Sequence, residues 1–196
     1  MARGKKYYVF HKPYGVLSQF SKEHDKQALS DYLNIPKDVY PVGRLDENSE
    51  GLLLLTNDKS LTEKLLNPTN EHKRSYLVQV EGQITKAAIK ELSSGVDIKL
   101  PAGMYHTLPA EVKKLGKVKL ADRTPPVRKD IQTSWIKISL IEGKNRQVRR
   151  MTAAVGFPTL RLVRSHIEDL ELGAIKSGEF VTMDKGSLYR KLKLEF

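Results

Sequence analysis

A chain of 196 residues suits one large domain or two small lobes, and 39% hydrophobic against 29% charged residues is enough apolar surface to exclude wholesale disorder. Cysteine is absent, so disulfide frameworks, thiolate zinc sites, Fe–S clusters and cysteine nucleophiles drop out together. The 34 Lys and Arg against 23 Asp and Glu leave a net charge of +11. With no apolar run able to span a bilayer and no signal-like core in Met1–Lys12, the expected partner is nucleic acid and the expected compartment the cytoplasm, with no membrane involved.

Lys6–Phe10 predicts a short strand, Pro13 and Gly15 a turn, and Val16–Ser18 a second strand. Gln27–Leu33 predicts a brief helix, Val39–Val42 a strand, and Gly43–Glu50 a polar loop. Leu52–Thr56 opens with four consecutive leucines, the pattern of a strand buried on both faces. Asn57 or Asp58 then caps a helix that Pro68 stops. Ser75–Val80 alternates as a strand, and Thr85–Ser94 spaces its apolar residues as a helix closed by Gly95.

Residues 97–132 are broken by Pro101, Gly103, Pro109, Gly116, Pro125 and Pro126 and predict an excursion with short strands near Glu111–Leu115 and Val118–Leu120, not a separate domain. From Glu111 to Asp130 the excursion is basic, with Lys113, Lys114, Lys117, Lys119, Arg123, Arg128 and Lys129 against Glu111, Asp122 and Asp130, and the excursion is the expected selector of substrate. Thr133–Ile141 predicts a strand, Arg146–Val155 a helix ended by Gly156, and Thr159–Val163 and Glu179–Met183 further strands. On helix 146–155, Val148, Met151, Thr152 and Val155 form a buried stripe, leaving Arg146, Arg149 and Arg150 on another. From Lys144 to Arg164 six basic residues, including Arg161, meet no carboxylate, which weakens the reading as a solvated face and leaves phosphate contact as open as that reading.

The five histidines show no metal-ligand spacing, Gly143-Lys144 lacks the earlier glycine of a phosphate-binding loop, and there is no GxGxxG. Chemistry must therefore come from carboxylates, hydroxyls, a tyrosine or arginines, with no metal or cofactor expected. Asp46, taken alone, reads as a turn residue. Its setting, two residues after Arg44 and just ahead of the Leu52–Leu55 anchor, describes instead a carboxylate held on a loop by core packing.

The stretch Gly43-Arg-Leu-Asp-Glu-Asn-Ser-Glu-Gly-Leu-Leu-Leu-Leu-Thr-Asn57 resembles the signature of the RsuA-type family of pseudouridine synthases. Lys12-Pro-Tyr-Gly15, Lys73-Arg-Ser-Tyr-Leu-Val78, Glu142-Gly-Lys-Asn-Arg-Gln-Val-Arg-Arg-Met151 and Gly156-Phe-Pro-Thr-Leu-Arg-Leu-Val-Arg164 resemble its other motifs, in family order. Arg123-Thr-Pro-Pro-Val-Arg128 and Thr133-Ser-Trp135 resemble the subgroup acting on large-subunit (23S) rRNA, which agrees with the lack of room for an amino-terminal S4 domain.

The resemblance implies an α+β fold, a single catalytic domain over 1–196 with a mixed, mostly antiparallel sheet in two lobes flanking a cleft, the approximate lobes being 1–72 with 144–166 and 73–143 with 167–196. It implies Asp46 as nucleophile, Arg149 as its counter-charge and Tyr76 as the residue stacking on an extruded uracil. Arg44 would fill the gap left by the base or clamp a phosphate, Leu162 would pack under the pocket, and Lys144, Arg146, Arg150 and Arg164 would bind RNA. The expected enzyme is a monomer that isomerises a uridine in rRNA, not DNA, without cofactor. A relative acting on another rRNA uridine and a non-catalytic ribosome-assembly module stay open as alternatives.

Overall fold

The structure, a computed structural model, describes residues 4–128 and 130–195; Lys129, counted above among the basic residues of the excursion, lies outside the described residues. The chain divides into two compact units, one comprising residues 1–72 with 164–196 and the other residues 73–163. Among the described residues the secondary structure is α+β, thirteen strands with four α-helices.

In the first unit β1 (Tyr7–Lys12) and β2 (Val16–Leu17) flank the Pro13–Gly15 turn, and β3 (Gln27–Ala28) runs parallel to β2. Gln27–Leu33 is therefore not a helix. Asp31 accepts the Ala28 amide at 2.9 Å and closes a single 3-10 turn over Leu29–Asp31, while Leu29 and Leu33 fold into the core. The short strand β4 (Tyr40–Pro41) pairs with β5 (Glu50–Thr56), which also pairs antiparallel with β1 from Tyr7↔Thr56 to Lys12↔Gly51.

Every residue of β5 is buried, as the leucine run predicts. Leu53 and Leu55 join Tyr8, Phe10, Val16, Leu29, Leu33 and Val39 in one cluster. At about 1.5–3 kcal/mol per fully buried leucine, these four residues supply much of the unit's cohesion. Helix α1 (Lys59–Leu66) follows, with Leu61 and Leu65 facing inward. Asp58 holds the N-cap position, yet its side chain does not cap; it accepts hydrogen bonds from the Tyr7 and Tyr189 hydroxyls instead.

The second unit is built on β6 (Arg74–Glu81). Beside it packs α2 (Lys86–Ser94), which starts where the Thr85 hydroxyl accepts the Ala88 amide and ends at Gly95. The excursion begins with a hairpin that the prolines and glycines concealed: β7 (Asp97–Leu100) pairs antiparallel with β8 (Gly103–His106). Then come β9 (Glu111–Leu115) and β10 (Thr133–Leu140), with β10 paired antiparallel to β9 on one side and to β6 on the other, while 118–120 forms no strand. Val78, Val80, Ile136 and Ile138 line one face of this sheet, and α2 and α3 (Gln147–Ala154) supply Ala88, Leu92, Val148 and Met151 to the same core.

Strand β11 (Thr159–Ile167) is longer than predicted, and it is followed in the first unit by β12 (Leu170–Glu171), β13 (Phe180–Thr182) on the free edge of β1, and α4 (Lys185–Lys191). The Asp184 side chain caps α4 by accepting the Ser187 amide at 2.8 Å.

Candidate active site

Asp46 sits half-buried on the loop between β4 and β5, and the residues on both sides of it are fixed to the segment Lys12–Ser18. Before it, the Leu45 amide donates to the Ser18 hydroxyl at 3.0 Å, and that hydroxyl donates back to the Leu45 carbonyl at 2.7 Å. After it, the Glu47 carbonyl accepts the Gly15 amide at 2.9 Å and the Lys12 ammonium at 3.2 Å. A turn bond from the Ser49 amide to the Asp46 carbonyl completes the loop. The motif residues Lys12 and Gly15 thus serve the aspartate as the frame of its loop, together with Ser18, which the sequence did not single out. Arg44, two residues earlier, is exposed.

Beneath this loop lies a buried charge. Lys12 has no exposed surface, and its Nζ donates to the carbonyls of Pro13, Val16 and Glu47. Burial pushes its pKa from 10.5 down to about 7, against the upward pull of the Glu50, Glu47 and Asp46 carboxylates, with Arg164 adding to the fall. Arg164 is buried too and donates through Nε to the Leu52 carbonyl at 2.7 Å. Expected on the RNA surface, it is instead part of the frame of β5, because a strand position facing the chain interior withdraws its guanidinium from solvent. Its backbone passes so close to Gly51 that only glycine fits there: φ is +103°, and a Cβ would collide with the Arg164 carbonyl and amide.

In the second unit Tyr76, on β6, is half-buried and packs against the cluster that holds Leu162, Val148 and Met151. Leu162 is 6% exposed and belongs to that cluster. The arginines of the basic motif are less uniform than helical spacing suggests. Arg146 precedes α3 with a left-handed φ of +51°, so it leaves the helical register of Arg149 and Arg150. Gln147, not Val155, completes the buried stripe with Val148, Met151 and Thr152.

Arg149 donates to the Thr159 carbonyl at 3.2 Å, and Arg150 donates to the carbonyls of Asn145 and Lys99. Arg161 is buried and donates to the Ala121 carbonyl, which ties β11 to the excursion. Lys144 is exposed and stands 4.7 Å from the centroid of the Tyr105 ring, a cation–π distance. Among the described residues no group of three or more histidines and carboxylates could hold a metal, and no helix is long and apolar enough to cross a membrane.

The sequence profile of the RNA pseudouridylate synthase family matches residues 6–154, a span that contains both the Asp46 loop and the basic motif. The chain belongs to that family. It is 46% identical over 180 residues to the ribosomal large subunit pseudouridine synthase E of Vibrio parahaemolyticus, covering 91% of this chain and 74% of that protein. It is 36% identical to the ribosomal large subunit pseudouridine synthase B of Bacillus subtilis, over 88% of this chain and 66% of the relative.

The fold matches a crystal structure of a pseudouridylate synthase with a TM-score of 0.77 at 21% identity, covering 96% of this chain and 74% of that one. The protein is thus an RNA pseudouridine synthase with the fold of that family, and its Asp46 loop falls within the family's matched region.

Proposed function

We propose that this synthase isomerises a uridine of 23S large-subunit rRNA to pseudouridine with Asp46 as nucleophile. The observation that carries the reading is the pinning of the Asp46 loop on both sides, by Ser18 at Leu45 and by Gly15 and Lys12 at Glu47. A carboxylate that must meet a reacting carbon within a few tenths of an ångström benefits from a frame that cannot drift. The net charge of +11 suits an RNA substrate, and the similarity to large-subunit synthases supports rRNA as that RNA.

The reaction needs little else. Asp46 adds to the uracil ring or to the ribose anomeric carbon, the C1′–N1 bond breaks, the base turns and C1′–C5 forms. A proton then leaves C5 and one is taken up at N1, so no atom is gained or lost overall and no electrons change hands. The uridine must leave the stack first, since a stacked base hides its faces. Tyr76 stacks on the extruded uracil and assists removal of the C5 proton. Arg149 favours the ionised aspartate as its counter-charge. Arg44 occupies the gap left by the base, and exposed Lys144 and Arg146 meet phosphates.

The test is incubation of the purified protein with unmodified 23S rRNA transcript in the presence of a chelator, followed by mapping of pseudouridine. One modified position is expected. No new pseudouridine, or activity only after metal is restored, contradicts the proposal.

A further inference from the structure

Gln147 opens α3 and is 4% exposed, and its carboxamide is used at both ends. Its Nε2 donates to Glu142 Oε1, and its Oε1 accepts the Lys144 amide at 2.9 Å. The side chain therefore closes the loop 143–146 from inside. A backbone bond from the Gln147 amide to the Lys144 carbonyl at 3.1 Å completes the closure. Glu142 is itself fixed, because it accepts the Tyr105 hydroxyl at 2.6 Å and the Leu108 amide at 2.8 Å.

The loop has a shape the chain does not adopt unaided. Arg146 has a φ of +51°, which is disfavoured for a residue with a Cβ and persists only where the surroundings impose it. Glu142 offers acceptors here and the Lys144 amide is a donor, so the residue between them must donate on one side and accept on the other. Among side chains of this length, the carboxamide of glutamine alone does both without charge. A leucine would serve the buried stripe of α3 equally well, and what distinguishes glutamine is this pair of bonds. The closed loop carries Lys144 and Arg146, both exposed and both read above as phosphate contacts.

We infer that Gln147 is a positioning residue for RNA: its clasp between Glu142 and the Lys144 amide fixes the loop 143–146 in the shape that presents Lys144 and Arg146 to the RNA backbone. The inference rests on the phosphate reading of those two cations and adds what holds them. A loop ordered before binding loses less freedom in the complex, so the clasp acts on affinity. Gln147 acts only through the cations it holds.

The experiment measures equilibrium binding of 23S rRNA transcript to the full-length protein, and the single-turnover rate of pseudouridine formation at saturating RNA. The proteins compared are wild type, Gln147→Leu, Gln147→Glu, the double variant Lys144→Ser/Arg146→Ser, and that double variant carrying Gln147→Leu as well. Thermal unfolding establishes that each variant is folded; where Gln147→Leu is not, the pH dependence of Gln147→Glu decides.

Gln147→Leu weakens binding about tenfold and lowers affinity more than the saturated rate. In the double-variant background it weakens binding no further, because the cations it positions are gone, whereas a merely structural role gives the same loss in both backgrounds. Gln147→Glu sets two carboxylates against each other at neutral pH. A proton shared between them restores the donor, so the affinity of this variant recovers relative to wild type as pH falls from about 8 to about 5.5. Wild type measured alongside carries the contribution of the other titratable groups around the pair, which are Tyr105, Lys144 and the His106–Asp97 pair.

Unchanged affinity in Gln147→Leu, equal loss in both backgrounds, a loss confined to the saturated rate, or a Gln147→Glu affinity that runs parallel to wild type across that pH range overturns the inference. Wild-type affinity in Lys144→Ser/Arg146→Ser overturns the phosphate reading and the inference with it. If wild type makes no pseudouridine in the transcript, the functional reading fails, while the same binding comparison on 16S and 23S transcripts still decides the role of Gln147.

Discussion

The ammonium of Lys12 stands 3.2 Å from the backbone carbonyl of Glu47, the residue that follows Asp46, and has no exposed surface of its own. A cation without water is placed where it fixes a loop, and three main-chain carbonyls hold it there in place of solvent.

That arrangement has a pH signature. Because the folded pKa of Lys12 falls from 10.5 to about 7, the unfolded chain binds more protons between those values, so this group's cost to stability is full below pH 7 and is relieved as pH rises towards 10.5. The cost is on the order of a few kcal/mol. Denaturant midpoints measured from pH 6 to 10 rise in wild type relative to Lys12→Met, which lacks that slope. Lys12→Met also loosens the Asp46 loop and lowers turnover more than RNA affinity. Parallel stability curves for the two proteins would mean that Lys12 does not titrate in this window.

Gly51→Ala forces a Cβ onto the Arg164 backbone, and Arg164 cannot retreat while its Nε holds the Leu52 carbonyl. A loss of about 3 kcal/mol in unfolding free energy is expected. Gly103→Ala provides the contrast, since its φ is also positive but no atom lies within 4 Å of the added Cβ, so only backbone strain of about 1–2 kcal/mol applies. Equal losses at the two positions would remove the close approach as the cause.

Asp58 joins distant parts of the first unit: Tyr7 donates to it at 2.8 Å from β1 and Tyr189 at 3.1 Å from α4, with Lys5 3.3 Å away. Burial raises its pKa, but the hydrogen bonds from Tyr7, Lys5 and Tyr189 outweigh it and leave the carboxyl below its usual 3.8. Its contribution is therefore complete above pH 3.8 and lost as pH falls through the lower folded value. Asp58→Asn should cost about 2 kcal/mol at neutral pH, read by denaturant titration, with the difference from wild type shrinking in acid.

The elements with simple patterns were legible in the sequence: the leucine run of β5, the alternation of β6, the strand at β10 and the helix from Thr85 that Gly95 closes. Gln27–Leu33 failed because Gln27 and Ala28 pair as a strand with Val16 and Leu17, which leaves only Leu29–Asp31 to turn. The hairpin at 97–106 was hidden by Pro101 and Gly103, residues that mark a chain break and a hairpin turn equally well.

At the site, Asp46 and its loop could be read from Arg44 and the leucines, whereas the tether could not. A lysine in a turn motif gives no sign that it will be buried, and Ser18 is an ordinary serine until the fold brings it to Leu45. Arg164 and Arg161 illustrate the same limit: charge is visible in a sequence, but whether it faces phosphate or a carbonyl is settled by strand register.

The most direct measurement of the central claim is the single-turnover rate of pseudouridine formation by Asp46→Asn on unmodified 23S rRNA transcript, with RNA affinity measured in parallel. The substitution removes a nucleophile while barely changing shape, so the rate falls at least about a thousandfold and affinity is largely retained. A variant that keeps more than a small fraction of the wild-type rate while folded would contradict Asp46 as nucleophile.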